Sequence, residues 1–369
     1  MNPRTDFEVC FGHPAEGSAF ATGRVNLLGE HTDYNGGFVL PMGIPQRTQV
    51  QFRRLESPEV RVASAQKSAV LESYTLSHER LRAEWLDYVQ GVTRMLIADG
   101  HALGGAELFI SSDVPLGAGL SSSAALTVSV CRAFRRAYQL ELDDQELALL
   151  AYRAEHDFVG VPIGVMDPMA VCLADVRAPI FLDTQSLSWE RVSLPASCEV
   201  LVIDSGVGHE HASGGYLTRR KECDLAAQLL HATSLREVQD GRDLEALPET
   251  LRRRARHVIS ENERVLQAVA ALRSDDVATV GRLFDESHAS MRDDFEVSVP
   301  AVDLLVRVTR MQPGCWGARL TGGGFGGAIV ALVERGTARK VGEAALAAYA
   351  AHGGEGTQEG RLLIVGAAP

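Results

Sequence analysis

The stretch of this sequence best suited to chemistry is Pro115-Leu116-Gly117-Ala118-Gly119-Leu120-Ser121-Ser122-Ser123-Ala124-Ala125. Glycines let a backbone adopt φ > 0 and approach a ligand closely, and successive amides can then converge on an anion. The serines open an apolar segment with helical periodicity. A helix N-terminus presents free N–H groups and about half a positive charge. Amides, hydroxyls and dipole together can hold a phosphate without a lysine. That matters here, because Lys67, Lys221 and Lys340 are the only lysines in the chain. None follows the G-x-x-x-x-G-K-[ST] spacing of a P-loop, and the V-A-I-K, H-R-D and D-F-G segments of protein kinases are missing as well.

Two further stretches carry chemistry. Thr321-Gly322-Gly323-Gly324-Phe325-Gly326-Gly327 lies between two apolar, strand-like segments. Ordering so many glycines costs conformational entropy, so close approach to the backbone is their expected use. The run Gly23-Arg24-Val25-Asn26-Leu27-Leu28-Gly29-Glu30-His31-Thr32-Asp33-Tyr34-Asn35-Gly36 crowds Arg24, Glu30, His31 and Asp33 at the end of a strand-like segment. Carboxylates and an imidazole converging on a pocket are suitable partners for a polyol. His209-Glu210-His211 has weak metal-site spacing and reads as a solvated loop.

Several elements must position these loops. Alternation and turn signals predict strands over 19–28, 37–40, 48–52, 107–111, 180–182, 189–192, 200–203, 315–320 and 328–332. Helical periodicity predicts helices over 84–98, 122–138, 144–158, 216–230, 251–272, 277–291 and 302–310. A composition shift near Leu194-Pro195-Ala196 suggests two domains, 1–194 and 195–369. The chain has 369 residues, enough for two domains at roughly 100–200 residues each. A net charge of −12 argues against a nucleic-acid partner, since tracking a phosphate backbone needs clustered Lys and Arg. Apolar stretches fall short of the roughly 20 residues of a membrane span. Arg4, Asp6 and Glu8 leave no apolar core for a signal peptide. Six scattered cysteines without C-x-x-C spacing read as reduced thiols in a cytoplasmic enzyme.

The three loops together resemble those of the GHMP kinase superfamily, and the N-terminal one resembles the galactokinase signature within it. Glu84-Trp85-Leu86-Asp87-Tyr88-Val89, Ala154-Glu155-His156, Gly164-Val165-Met166-Asp167, Arg219-Arg220-Lys221-Glu222-Cys223 and His257-Val258-Ile259-Ser260-Glu261-Asn262 are similar to the same family. So are Ser287-His288 and Met291-Arg292-Asp293-Asp294, and the resemblance spans nearly the whole chain. It implies an α+β, two-domain GHMP-kinase-like fold, with a mixed N-terminal sheet carrying helices and a helix-rich C-terminal α/β half. It also implies transfer of the ATP γ-phosphate to the anomeric hydroxyl of galactose, with Mg²⁺. By the resemblance, Asp167 corresponds to the catalytic base and Arg24 to the arginine that stabilises transferring charge. Glu30, His31, Thr32, Asp33, Gly164 and Tyr216 correspond to sugar contacts. Gly117, Ala118, Gly119, Leu120, Ser121, Ser122 and Ser123 correspond to the ATP phosphate loop, Trp85 to an adenine-pocket residue, and Ser123 with Glu155 to the magnesium partners. Elementary chemistry agrees, because phosphoryl transfer needs positioning and charge neutralisation, and Mg²⁺ takes oxygen ligands.

The expected partners are galactose or a related monosaccharide and ATP, with no nucleic acid and no membrane, for a monomer. The alternatives are a kinase for N-acetylgalactosamine or a pentose, and a non-catalytic sugar sensor on the same scaffold. The presence of Arg24, Ser123, Glu155 and Asp167 favours an enzyme. Two segments depart from the family. Galactokinases usually read C-G-I-M-D-Q where this chain has Ile163-Gly164-Val165-Met166-Asp167-Pro168. Pro168 lacks an amide donor and predicts an extended Asp167. Before Tyr216, where galactokinases commonly carry a serine and a glutamate, stand Ala212-Ser213-Gly214-Gly215.

Overall fold

The computed structural model describes residues 6–67, 70–208, 212–238, 241–352 and 359–367. Along the chain run α1 (Phe7–Phe11), β1 (Gly17–Asn26), β2 (Phe38–Val39), β3 (Pro41–Leu55), β4 (Glu59–Ser64), β5 (Glu72–Thr75), α2 (Leu86–Ala98) and β6 (Gly105–Ser112). Next come α3 (Ser122–Tyr138), α4 (Asp144–Arg153), α5 (Met166–Leu173), β7 (Ile180–Asp183), β8 (Trp189–Arg191) and β9 (Cys198–Asp204). The chain ends with α6 (Ala212–Leu229), α7 (Glu249–Arg273), α8 (Val277–Asp293), α9 (Pro300–Arg310), β10 (Cys315–Leu320), β11 (Ala328–Glu334), α10 (Ala338–His352) and β12 (Arg361–Ala367). Two compact units each draw on separated stretches. One takes Met1–Gly23, Pro45–Pro115 and Ser121–Leu173; the other takes Arg24–Ile44, Leu116–Leu120 and Ala174–Pro369.

The first unit is built on a sheet ordered β1-β3-β6-β4-β5. β6 pairs antiparallel with β3, from Thr48 opposite Ser112 to Leu55 opposite Gly105, and parallel with β4. Helix α3 buries Ala124, Ala125, Val128, Cys131 and Phe134. Helix α4 starts at a capping box, in which Asp143 and Glu146 satisfy each other's backbone N–H groups. It then widens into a π-helical turn, Ala154–Val159, which ends at Gly160 with φ 82°. Helix α2 lies so close to that turn that a Cβ on Gly91 would stand 2.8 Å from the Ala154 carbonyl oxygen. A bare glycine is what allows the approach.

The second unit contains sheets ordered β10-β11-β9-β12 and β2-β7-β8. Its core joins Leu201 and Ile203 of β9, Ile329 and Ala331 of β11, Val258 of α7 and Phe295. Helix α8 lies backbone-to-backbone against β10: a Cβ on Gly317 would fall 2.1 Å from the Gly281 carbonyl oxygen. Side chains of the same helix cover the strand's outer edge. Asp285 accepts the Ala318 N–H at 3.2 Å, and His288 Nδ1 accepts that of Leu320 at 3.4 Å. Pairing positions left open on a strand edge would otherwise invite another chain.

The expected α+β class and helix-rich C-terminal half are present, and α3 and β10 fall at their predicted bounds. Among the described residues, six elements were not predicted: α1, β4, β5, α5, α10 and β12. In α10 the buried face is Ala338, Val341, Gly342, Ala345 and Tyr349, but Ala344, Ala347, Ala350 and Ala351 stand exposed on the same helix, so no apolar face stands out in the sequence. None of the six cysteines, all of them described, forms a disulfide, in line with the expected reduced thiols. Among the described residues, no helix is long and apolar enough to cross a membrane. His209-Glu210-His211 lies outside the described residues.

Candidate active site

The residues singled out by sequence fall into two sets, one in each unit. In the first unit they gather at the start of α3. Ser121 sits at the helix N-cap in the left-handed region, φ 59° and ψ 48°, and its side chain caps nothing. Instead its hydroxyl donates to Asp167 Oδ2 at 2.6 Å. The first-turn N–H groups of α3 therefore keep no side-chain acceptor at the N-cap, which suits an anion. Ser122 and Ser123 follow in that first turn, half-buried.

Asp167 lies in the first turn of α5, so the expected extended conformation is not what the chain adopts. The physical reason is position. Pro168 also falls in the first turn, where a helix has no use for the missing N–H and the fixed φ suits it. Gly164 precedes this helix in the connecting segment.

Glu155 is 1% exposed, on the π-helical turn rather than on a solvated helix face. Thr127, one turn along α3 from Ser123, places its hydroxyl 2.8 Å from Glu155 Oε1. Burial pushes the Glu155 carboxyl up to about 7, hydrogen bonds from Thr127 and Ser123 pull it back, and the charge of Asp167 adds to the rise. Among the described residues no basic side chain forms an ion pair with it. Trp85 is the N-cap residue of α2 and half-buried, and its indole N–H donates to Glu72 at 2.8 Å. The loop leading to it is held by Asp87, which accepts the N–H groups of Arg82 and Glu84.

In the second unit, Arg24 holds the Gly119-Leu120 end of the first glycine loop. Its guanidinium donates to the Gly119 carbonyl at 2.6 Å, and its N–H to that of Leu120 at 3.1 Å. Gly117 and Gly119 both have positive φ, and Ala118 and Leu120 are buried. The C-terminal glycine loop comes up against this segment: a Cβ on Gly322, at φ 86°, would stand 3.0 Å from the Gly119 carbonyl oxygen.

Glu30 is 2% exposed, and protein donors fill its carboxylate. Oε2 accepts from Asn26 at 2.6 Å and Arg319 at 2.8 Å; Oε1 accepts from the Gly322 N–H at 2.8 Å and Thr321 at 3.2 Å. Burial pushes its pKa up, while Arg319 and the Gly322 N–H oppose the rise. Thr32 is fully buried, and its hydroxyl meets the carbonyls of Gly29 and Phe38. Asp33 opens a 3₁₀ turn, Asp33–Asn35, and is half-buried.

His31 stands at φ 63°, rare for a non-glycine residue. Its ring packs among Phe295 (4.7 Å between centroids), Tyr216 (5.5 Å) and Tyr34 (5.9 Å). Nδ1 pairs with the Tyr34 hydroxyl at 2.9 Å, and the buried ring also lies against the Gly323 backbone. Burial, with the charges of His257 and Arg219, pushes its pKa down to about 3, so the ring is neutral at physiological pH.

Sequence reasoning assigned no role to Tyr34, Thr127, His257, Glu261, Phe295 or Arg319. Two signals were available: His257 and Glu261 share a helix face at i, i+4, and Arg319 is a charge inside an apolar strand.

The Galactokinase galactose-binding signature matches residues 5–54, the GHMP kinases N terminal domain matches 87–175, and the GHMP kinases C terminal domain matches 268–351. A galactokinase of Chloroflexus aggregans is 43% identical over 366 residues, covering 95% of this chain and 93% of that one. The chain belongs to the galactokinase family. Another galactokinase, from Roseiflexus sp., is 46% identical over 85% of this chain and 83% of its own length. Among solved structures, Lactococcus lactis galactokinase complexed with galactose superposes with a TM-score of 0.89 at 30% identity, covering 98% of this chain and 97% of that one. As a galactokinase-family member, the protein is an ATP-dependent sugar kinase. The family's galactose-binding signature covers Arg24, Glu30, His31 and Asp33, and its N-terminal domain covers the serine loop, Glu155 and Asp167.

Proposed function

We propose that this protein transfers the γ-phosphate of ATP to the C1 hydroxyl of galactose, giving galactose 1-phosphate and ADP, as a cytoplasmic monomer. The observation that carries the reading is the 2.6 Å hydrogen bond from Ser121 to Asp167. It ties a carboxylate able to take a hydroxyl proton to the turn whose free amides suit a phosphate. In the reaction, Asp167 orients the C1 hydroxyl and accepts its proton. The C1 oxygen forms a bond to the γ-phosphorus as the bond to the bridging oxygen breaks, and ADP departs. Arg24, hydrogen-bonded to the Gly119 carbonyl, supplies positive charge beside the phosphate loop. Trp85 would face the adenine.

His31, neutral and set among Tyr34, Tyr216 and Phe295, would present its ring to a sugar hydroxyl. Tyr216, Asp33 and Gly164 would complete the sugar contacts, while Glu30 and Thr32 would act chiefly by shaping the loop. The hydroxyl of Ser123 and the carboxylate of Glu155 fit Mg²⁺: both are hard oxygen donors, and a buried carboxylate with no basic partner among the described residues suits a cation. Bound with ATP, that ion would neutralise charge on the β- and γ-phosphates.

A coupled ADP-release assay over a panel of free sugars tests the substrate. Turnover of another sugar with none for galactose overturns the assignment. Asp167→Asn should lower kcat by about 10²–10⁴-fold, the usual contribution of a general base, while galactose binding by calorimetry changes little. Unchanged turnover would remove Asp167 from the role.

A further inference from the structure

Helix α7 carries His257-Val258-Ile259-Ser260-Glu261-Asn262, to which the proposed reaction gives no part. These side chains hold the backbone of the segment that bears Glu30, His31 and Asp33. His257 Nε2 lies 3.2 Å from the Glu30 carbonyl oxygen. A carbonyl only accepts, so Nε2 carries the hydrogen, and Nδ1 accepts from the Ser290 hydroxyl at 2.9 Å. Glu261 Oε1 accepts the Gly29 N–H at 2.9 Å, and Asn262 Oδ1 accepts the Phe38 N–H at 2.8 Å. Residues 257, 261 and 265 form one stripe of the helix. At its third position, Val265 Cγ2 lies 3.2 Å from where a Cβ on Gly29 would stand. Arg319 of β10 adds a hydrogen bond to the Leu27 carbonyl at 2.6 Å.

Buried backbone groups outside regular structure need partners, because water does not reach them. His257, Glu261 and Arg319 are fully buried and Asn262 nearly so, and between them they meet Leu27, Gly29, Glu30 and Phe38. The held segment includes His31 at its left-handed φ. Such a conformation persists only where the surroundings over-determine it. Glu261 keeps its own charge compensated through Arg264 at 2.7 Å, and Ser287 donates to it at 2.7 Å.

We propose that His257, Glu261 and Asn262 are positioning residues that set the conformation of segment 27–38, and so the affinity for the sugar, without touching it. This rests on the reading of that segment as the sugar side. The test compares full-length wild type with His257→Leu, His257→Gln and Asn262→Ala, by steady-state kinetics and by amide hydrogen exchange. In His257→Leu the galactose KM should rise about 5- to 30-fold, the effect of one lost buried hydrogen-bond partner, with the ATP KM held within about twofold. His257→Gln, whose amide N–H can still reach the Glu30 carbonyl, should recover most of the loss. Amides of 27–38 should exchange faster in His257→Leu than in wild type.

A parallel rise in both KM values without rescue by glutamine, or unchanged exchange in 27–38, overturns the proposal. Should His257→Leu fail to fold, Asn262→Ala carries the same comparison. If wild-type protein does not turn over galactose, the substrate reading falls. The exchange experiment uses no sugar and still decides whether the α7 stripe holds the segment.

Discussion

Replacing Glu155 with glutamine should make the ligand-free protein more stable and leave it inactive. The carboxyl is fully buried, and its pKa is raised from 4.5 to about 7. The unfolded chain therefore releases that proton at lower pH than the folded one does. Below about pH 4.5 the group has no effect on stability. Between about pH 4.5 and pH 7 the folded state is increasingly penalised, because it must either keep a proton that solution would take or bury a bare charge, and above pH 7 the penalty is constant. The penalty above pH 7 comes to about 3 kcal/mol, at 1.36 kcal/mol per pH unit. Glutamine keeps the shape and an acceptor for Thr127, and carries no charge. In a chain of this length, the gain at pH 8 corresponds to a Tm increase on the order of 4 °C. Thermal melts from pH 5 to pH 9 without nucleotide measure it, and the gap between variant and wild type should shrink towards pH 5. The same variant should show no Mg²⁺-dependent ADP release with galactose. Parallel stability curves for the two proteins, or retained turnover in the variant, would refute the reasoning that this buried acid waits for a cation.

Gly37→Ala places a Cβ 2.4 Å from Asn262 Oδ1 and 2.6 Å from the Thr32 Cβ. It should destabilise the protein by about 1–3 kcal/mol, as overpacking does, and raise the galactose KM; urea unfolding and kinetics read both effects. His31, with its pKa pushed down to about 3, gains charge only in strong acid. The galactose KM should therefore stay flat from pH 5.5 to 8.5, and a transition near 6.5 that disappears in His31→Gln would contradict the neutral imidazole.

The chemistry-bearing loops were legible in the sequence because their signals are local. The Gly117–Ser123 run carries type and spacing that need no third dimension to notice, whereas Asp167 was singled out only through the family resemblance. The conformation of Asp167 was misread because a rule about the residue before proline was applied without the helix that starts there. The burial of Glu155 could not be read from its own segment, since it depends on the packing of α2 and α3 around it. The partners of Glu30 lie 291 and 292 positions away, at Thr321 and Gly322. No window of sequence joins them. Tyr34 and Phe295 were invisible as a set for the same reason: they meet only around the His31 ring.

The π-helical turn at Ala154–Val159 has a consequence for what the chain can tolerate. Such a turn accommodates one residue more than an α-helix of the same span. Removing a single amino acid between Asp144 and Glu155 would let the helix close with ordinary periodicity, and would swing the carboxylate about 100° around the axis. Thr127 could no longer reach it. The spacing from the Asp143 cap to Glu155 is thus a fixed length, open to substitution in its side chains and closed to deletion.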